Sequence, residues 1–369
     1  MGALERDNQI YIDDKTEEII DIGNPEGSPM SVICRSSISK LLGGDNAFNS
    51  LISKAKKYSM KIIIDSLARI SSSRPHRRYK KILLNFLDEK GKVNLCYGTD
   101  GISTSYEDTA LLNYRKIETW DLLVEDILNL ALKYDIHGVH LDNCQAWPQI
   151  MKINMDEMTR LDSDLKPAYS LIEIMDGEIV YRDEDCGYWD SDTSAEYPNP
   201  LLIKLTKKLW KHCPKFIIIG ECWMTSKFVN RHINLSKSGI IPRLYTLPRT
   251  LSSVFGRKIH KTGHIELASP ADVSIFREWI EENNKDVPKG SMFIQSSCGF
   301  VWPYPSLLYG RGNWAAVDLL FTLSDIPMTF MGEIEGESYR VEITNLYVNK
   351  GVPKPTPSIK RAKSHISLD

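Results

Sequence analysis

Short apolar runs alternate with amphipathic segments from about residue 46 to residue 335. Asn46 to Tyr58 has apolar residues at helical spacing, and Lys61 to Asp65 then predicts a buried strand that ends in an acid. Thr119 to Tyr134 is the strongest predicted helix, and it leads into a predicted strand that ends at Asp142. Because strands separated by helices favour a parallel sheet with right-handed crossovers, the pattern predicts an α/β fold.

The same alternation continues in the second half of the chain. Asn199 and Pro200 predict the start of a helix that runs through Trp210 and precedes the apolar run from Phe216 to Glu221. Further strands are predicted at Ile240–Ile241, Met292–Ile294 and Pro327–Met331, and further helices at Val273–Glu282 and Trp314–Leu323. About six strands are therefore predicted, fewer than the eight that close a parallel barrel.

Composition divides the chain further. Residues 1–27 are polar, and the domain that contains the alternating pattern is expected to span residues 28–340. Within that domain, residues 151–198 are a long insertion rich in Asp, Glu and Tyr, expected to form an irregular subdomain over the functional face of the sheet. Residues 350–369 are rich in Pro and Lys and are expected to be a disordered basic tail.

The overall composition indicates a globular protein with a small net charge. The chain has 369 residues, of which 42% are hydrophobic, and its net charge is −2. A charge this small predicts no binding of nucleic acid or anionic lipid. The seven cysteines include no CxxC pair, and no apolar stretch approaches membrane-spanning length. The segment Met1–Arg6 has no signal-peptide core, so the expectation is a soluble cytoplasmic protein with reduced thiols.

Two carboxylates are the main candidates for chemistry. Asp142 and Glu221 each end a short apolar run that follows a predicted helix. The carboxyl ends of parallel barrel strands form the active face of such enzymes. A single acid in this position more often caps a loop, but two acids on neighbouring strands are the minimum machinery for breaking a glycosidic bond.

Several motifs resemble the α-amylase superfamily over about residues 28 to 340. Gly138 to Cys144 is similar to the strand-4 motif of that superfamily, usually Gly-x-Arg-x-Asp, and its Asn-Cys continuation with Pro148 looks most like the glucanotransferase domain of eukaryotic-type glycogen debranching enzymes. Other similar segments are Ile219–Trp223 with Thr225–Lys227 and Gly239–Arg243 (strand 5 and after), Ser28–Gly44 with Met60–Asp65 (the approach to strand 3), and Ile326–Glu333 (strand 8).

The resemblance implies a (β/α)8 TIM-type barrel, incomplete at the N-terminus and with its long insertion between strands 4 and 5. It also implies cleavage or transfer of α-1,4-glucan, such as glycogen, starch or a maltooligosaccharide, with Asp142 as nucleophile and Glu221 as general acid/base. No cofactor and no metal are implied. Flat sugar faces stack on aromatic rings, and sugar hydroxyls need polar partners nearby. The expected substrate contacts are therefore Asp65, His140, Trp147, Trp189, Trp223 and Trp302.

This chain departs from the superfamily pattern at three places. Arg69-Ile70 stands where the family has Asn-His, His140 stands where it has an arginine beside the nucleophile, and Cys298 stands where it has a third carboxylate. Replacement acids such as Asp325 or Glu333 are expected to be solvated loop residues instead. Two hypotheses therefore stay open: a glycosidase or transglycosylase, and a catalytically impaired pseudoenzyme that acts as a glucan-binding or assembly module.

Other polar and aromatic residues have simpler interpretations. The basic run from Arg74 to Lys81 could meet a phosphorylated glucan but is expected to be a solvated face. Trp314, on an apolar helix, is expected in the core. Cys144, Cys222 and Cys298 could suggest zinc, and Cys298 a nucleophile, but their spacing does not favour either role.

Overall fold

The computed structural model describes residues 4–6, 11–12, 19–20, 31–73, 75–87, 93–99, 105–114, 117–144, 170–175, 178–181, 200–222, 231–259, 265–298, 305–323, 325–330, 332–334 and 336. The chain divides into two compact units. The first unit comprises residues 1–220 and 238–240, and the second comprises residues 221–237 and 241–369.

Three parallel strands form the centre of the first unit. They are β5 (Ile63–Ser66), β11 (Gly138–Leu141) and β14 (Ile217–Cys222), and the last two residues of β14 belong to the second unit. β11 lies in the middle, with Gly138 paired to Ile63 on one side and to Ile217 on the other. A Cβ atom at Gly138 would clash with the backbone carbonyl of Ile217, so this close pairing requires glycine.

Three helices accompany these strands: α1 (Gly44–Lys57), α2 (Ile117–Tyr134) and α3 (Pro200–His212). Their apolar residues recur at helical spacing and face the core. The buried residues of α2 include Leu123, Ile127, Leu130 and Tyr134. The ring of Phe48 on α1 meets that of Tyr134 edge-on, with the ring centroids 5.2 Å apart.

The first unit also contains short strands that pair antiparallel to one another. Their strands are β1 (Leu4–Arg6), β2 (Tyr11–Ile12), β3 (Ile19–Ile20), β4 (Val32–Ile38), β6 (Ile70–Ser71), β7 (Asn85–Leu87), β8 (Val93–Leu95), β9 (Tyr97–Thr99), β10 (Ser105–Ala110), β12 (Ser170–Met175) and β13 (Glu178–Tyr181). β12 and β13 lie in the predicted insertion, and β12 pairs with β7. A three-residue 3-10 turn precedes α1 at Lys40–Leu42, and another lies at Lys80–Ile82.

The second unit contains the parallel strands β15 (Ile241–Leu244), β18 (Ile294–Ser296) and β19 (Ile326–Met328). β18 pairs with both of the others. The antiparallel pair β16 (Arg257–Ile259) and β17 (Ile265–Leu267) is separate from them. The helices are α4 (Arg231–Lys237), α5 (Leu247–Val254), α6 (Ile275–Asn284), α7 (Pro305–Tyr309) and α8 (Asn313–Leu323), with a 3-10 turn at Gly310–Gly312.

The predicted α/β fold with parallel strands is confirmed, and each of the six predicted strands overlaps an observed one. One core prediction is wrong. Trp314 is 54% exposed, because α8 packs through Ala316 and Leu320 and turns its opposite side outward. Within the described residues, no helix combines the length and apolar character needed to cross a membrane.

Candidate active site

The strand ends of the first unit carry four polar side chains, here called the Asp142 cluster: Asp65, Arg69, His140 and Asp142. Asp65 lies within β5 and is paired in register with His140 on β11. Paired residues of parallel strands project to the same side of a sheet, and His140 Nδ1 lies 2.6 Å from Asp65 Oδ1. The carboxylate therefore orients the imidazole through Nδ1.

Asp142 follows β11 directly. Its backbone N–H donates to the carbonyl of Ser66 at 3.0 Å, which extends the strand pairing by one residue. The chain then turns at Asn143, whose φ of 55° lies in the left-handed region that asparagine tolerates well. The Asp142 side chain is thus held at the point where the strand stops and the chain turns.

Arg69 is the charge partner of Asp142. Its Nη2 donates to Asp142 Oδ2 at 2.7 Å, and the side chains are 7% and 17% exposed, respectively. A guanidinium this close favours the ionised carboxylate. Arg69 was seen in the sequence only as a departure from the family motif, because its contact with Asp142 spans 73 residues of chain.

The backbone that carries Arg69 is fixed by buried donors. Arg35 Nε donates to the carbonyl of Leu67 at 2.9 Å, and Arg35 Nη2 donates to the carbonyl of Arg69 at 3.0 Å. The hydroxyl of Tyr114 donates to the carbonyl between them, that of Ala68, at 2.7 Å. Three consecutive carbonyls are therefore held, which restricts the loop that presents the Arg69 guanidinium.

Arg35 is held in turn by Asp126 of α2, which is fully buried. Arg35 Nη1 lies 3.8 Å from Asp126 Oδ2, which also accepts a hydrogen bond from Tyr79 at 2.9 Å, while Arg78 pairs with Oδ1. Burial raises the pKa of Asp126, and the two guanidinium groups and the tyrosine hydroxyl oppose that rise. The prediction that the basic run is a solvated face is therefore wrong for Arg78 and Tyr79, because both complete this buried network.

Glu221 of the second unit lies in β14 and is 9% exposed. Its Oε1 accepts a hydrogen bond of 2.8 Å from the hydroxyl of Tyr245, which follows β15 and is 2% exposed. A tyrosine hydroxyl can donate to a carboxylate or to a protonated carboxyl group. Glu221 therefore has a neutral partner here, in contrast to Asp142.

A third acid, Glu333, lies beside the segment where the family pattern has its third carboxylate. Glu333 is 1% exposed, so the prediction that it is a solvated loop acid is wrong. Ser297 donates to its Oε1, and Phe330 N donates to its Oε2 at 2.8 Å. Cys298 Sγ lies 3.8 Å from the same Oε2. Because both carboxyl oxygens are taken up within the unit, Glu333 acts as a cap for the β18 and β19 loops.

Burial shifts the protonation of this group and of its neighbour. It raises the pKa of Glu333, although the hydrogen bonds from Ser297, Phe330 and Cys298 oppose the rise. Burial also raises the pKa of the Cys298 thiol, and the nearby Glu333 adds to that rise. A thiol of this kind is a poor nucleophile at neutral pH.

The remaining predicted contacts, Trp147, Trp189, Trp223 and Trp302, lie outside the described residues. Within the described part of the chain, no group of three or more His, Cys, Asp or Glu side chains could hold a metal ion.

The fold is similar to that of solved α-amylases. The chain matches α-amylase from Geobacillus thermoleovorans, complexed with acarbose, with a TM-score of 0.58 and 12% identity over 98% of this chain and 65% of that one. It matches an α-amylase from Lactobacillus plantarum with a TM-score of 0.58 and 12% identity over 94% and 69% of the two chains. A debranching enzyme from Nostoc punctiforme, soaked with acarbose, matches with a TM-score of 0.55 and 14% identity over 86% and 61%.

The chain spans about two thirds of the length of these enzymes. No family model matches its sequence, and no curated protein is similar to it in sequence. The likeness thus lies in the fold: an α/β protein with parallel strands whose structural neighbours are enzymes of the α-amylase family.

Proposed function

We propose that this protein acts on α-glucans as a glycoside hydrolase or 4-α-glucanotransferase of the α-amylase type. The observation that carries the proposal is the Asp142 cluster, in which a carboxylate directly after a parallel strand is paired with a buried guanidinium at 2.7 Å. A nucleophilic carboxylate must be ionised, and Arg69 favours that form. The acarbose complexes of its structural neighbours support a carbohydrate as the ligand.

The proposed reaction has two steps. Asp142 attacks the anomeric carbon of the glucan, the bond to the leaving oxygen breaks, and Glu221 gives that oxygen a proton. Water or a second glucan then attacks the same carbon, Glu221 removes the proton of this acceptor, and the ester to Asp142 breaks. This mechanism requires the two carboxyl groups to be roughly 5 to 5.5 Å apart when substrate is bound.

The proposal extends to several finer features. The parallel strands belong to a (β/α)8-type barrel, and residues 151–198 form a subdomain over its functional face. Asp65 and His140 bind sugar hydroxyl groups, and Trp147, Trp189, Trp223 and Trp302 stack on the glucan. The domain spans residues 28–340, with a polar segment at 1–27 and a basic tail at 350–369, and the protein functions in the cytoplasm. It belongs nearest to the glucanotransferase domain of glycogen debranching enzymes.

A specific observation favours a second candidate, a glucan-binding pseudoenzyme. Cys298 stands in place of the third carboxylate, and the nearby Glu333 is committed to capping bonds on both oxygens. A third acid would stabilise charge that develops in the transition state, so its loss lowers turnover more than substrate binding. The two candidates therefore differ in rate, and they agree on the ligand.

The deciding experiment measures product release and transfer from maltooligosaccharides. For the enzyme, Asp142→Asn and Glu221→Gln each lower kcat by about 10³-fold or more, because each removes a group that acts in the transition state. Asp121→Asn, which changes an exposed acid of α2, leaves the rate unchanged and is the matched control.

If the protein is a pseudoenzyme, we expect calorimetry to show saturable binding of maltooligosaccharides, and no product should form at any protein concentration. Turnover that persists in both acid variants would contradict the proposed mechanism. Absence of both binding and turnover would contradict both candidates.

A further inference from the structure

Arg243 is a buried arginine of the second unit that the proposed mechanism does not use. It lies on β15 and is 7% exposed. Its guanidinium carbon is 4.7 Å from the centroid of the Tyr245 ring and 5.6 Å from that of the Phe330 ring. The two rings provide cation–π contacts to the guanidinium, and such contacts leave its in-plane N–H donors unused.

Two of those donors have no hydrogen-bond partner. Arg243 Nε and Nη2 are both buried and unpaired within the described part of the chain. These two nitrogens lie on the same edge of the guanidinium plane, the edge that can donate two parallel hydrogen bonds to one oxyanion. The two unused N–H groups can therefore bind one oxyanion in a bidentate manner.

Two buried carboxylates of the second unit, Glu221 and Glu333, accept hydrogen bonds from other groups. Glu221 accepts a hydrogen bond from Tyr245, and Glu333 accepts from Ser297 and Phe330. Buried charges in proteins are usually paired, and an unpaired buried guanidinium is costly. An anion bound at this edge of the guanidinium would supply the missing partner.

We propose that Arg243 anchors a binding site for a phosphate group, either free or esterified to a sugar. A phosphate offers two oxygens to the Nε and Nη2 donors, and arginine suits this bidentate recognition better than lysine. The proposal goes beyond the proposed function and does not depend on it, since the contacts that define the site lie among Arg243, Tyr245 and Phe330.

The test measures the thermal stability of the full chain with inorganic phosphate at constant ionic strength. A ligand at about 100 times its Kd raises the Tm of a protein of this size by roughly 3 to 4 °C, because it binds only the folded state. We expect this rise for the wild type and none for Arg243→Met. Arg277→Met, at an exposed arginine of α6, should retain the full rise.

The lysine variant tests the bidentate geometry. Arg243→Lys keeps the charge but loses the two parallel N–H donors, so the affinity for phosphate should fall about 10-fold or more. Comparing glucose 6-phosphate with inorganic phosphate and with glucose then separates the two sources. Tighter binding of the ester identifies a sugar phosphate, and equal binding of the two phosphates identifies the free anion.

Three results would overturn the proposal. The first is a wild-type Tm that phosphate leaves unchanged. The second is an Arg243→Lys variant that binds phosphate as well as the wild type. The third is a rise in Tm with phosphate that survives in Arg243→Met but is lost in Arg277→Met.

If Arg243 only packs between the two rings, Arg243→Met lowers the Tm, and phosphate has no effect on the Tm of the wild type or of the variant. Loss of glucan binding without loss of phosphate binding would contradict the proposed function alone.

Discussion

The two units bury ionisable groups in opposite ways. In the first unit, buried charges occur as opposite pairs: Asp126 with Arg35 and Arg78, and Asp142 with Arg69. In the second unit, Glu221 and Glu333 have neutral donors, Arg243 has two unpaired nitrogens, and His232 is 1% exposed beside the Phe293 ring. The first unit therefore pairs its buried charges, whereas in the second unit burial raises the pKa of Glu333 and lowers that of His232, which favours the neutral form of each.

This difference suits the roles proposed for the two main acids. A nucleophile has to stay ionised throughout the reaction, and a paired guanidinium serves that need. A general acid/base has to gain and lose a proton. A tyrosine hydroxyl can donate a hydrogen bond to the carboxyl group in either of its protonation states. Environments that treat two carboxyl groups differently are a recurring way of assigning acid and base roles.

The largest expected effect follows from removing one charge of a buried pair in the first unit. Asp126→Asn leaves the guanidinium of Arg35, which is 1% exposed, without a counter-charge. Breaking a buried pair in this way should lower the free energy of unfolding by about 3 to 5 kcal/mol. Urea unfolding monitored by circular dichroism measures the loss.

An exposed pair in the same unit is the control. Asp45 bridges to Lys133, and both side chains are about half exposed. Asp45→Asn should change the free energy of unfolding by less than about 1 kcal/mol. Equal losses of unfolding free energy in the Asp126 and Asp45 variants would show that the contribution of an ion pair to the stability of the first unit does not depend on its burial.

The sequence predicted the elements better than the contacts between them. Spacing of apolar residues located α2 and β11 because helices and strands are set largely by neighbours a few residues away. It likewise indicated that Asp142 and Glu221 end apolar runs, and their catalytic roles stay predictions.

The partners of those acids were not predictable in this way. Arg69 meets Asp142 across 73 residues, Tyr245 meets Glu221 across 24, and Ser297 meets Glu333 across 36. Such contacts depend on which strands become neighbours, and apolar spacing carries no information about that. The exposure of Trp314 was missed for a related reason, since α8 is apolar on more than the side that packs.

The next effect is a loss of stability in acid that originates in the second unit. Burial lowers the pKa of His232 to about 4 from its usual 6.5. Above pH 6.5 the ring is neutral in the folded and unfolded chains alike. As the pH falls from 6.5 to 4, only the unfolded chain takes up the proton, so the free energy of unfolding should fall by about 3 kcal/mol.

Urea unfolding at pH 7, 5.5 and 4 measures this contribution by comparison with His232→Gln, which cannot titrate. The wild type should lose about 3 kcal/mol more than the variant over that range. His212→Gln, at an exposed position near the end of α3, should follow the wild-type curve. Parallel curves for wild type and His232→Gln would contradict a neutral buried imidazole.

The smallest expected effect concerns Glu333, whose pKa is raised mainly by burial. A raised carboxyl pKa contributes stability at low pH that is lost as the pH rises through the folded-state value. Glu333→Gln resembles the protonated form. Its carbonyl can accept from Phe330 N, and its amide can donate to Ser297, whose hydroxyl turns to accept. At pH 7 we therefore expect a change of less than about 1.5 kcal/mol in the free energy of unfolding. Urea unfolding at pH 5 and pH 8 should show a weaker pH dependence for the variant than for the wild type.

Glu333→Ala is the contrast, because it leaves Phe330 N without its acceptor and should cost about 1 to 3 kcal/mol at both pH values. A loss in Glu333→Gln as large as that in Asp126→Asn would mean that Glu333 is needed as a charge. The second unit would then follow the same rule as the first.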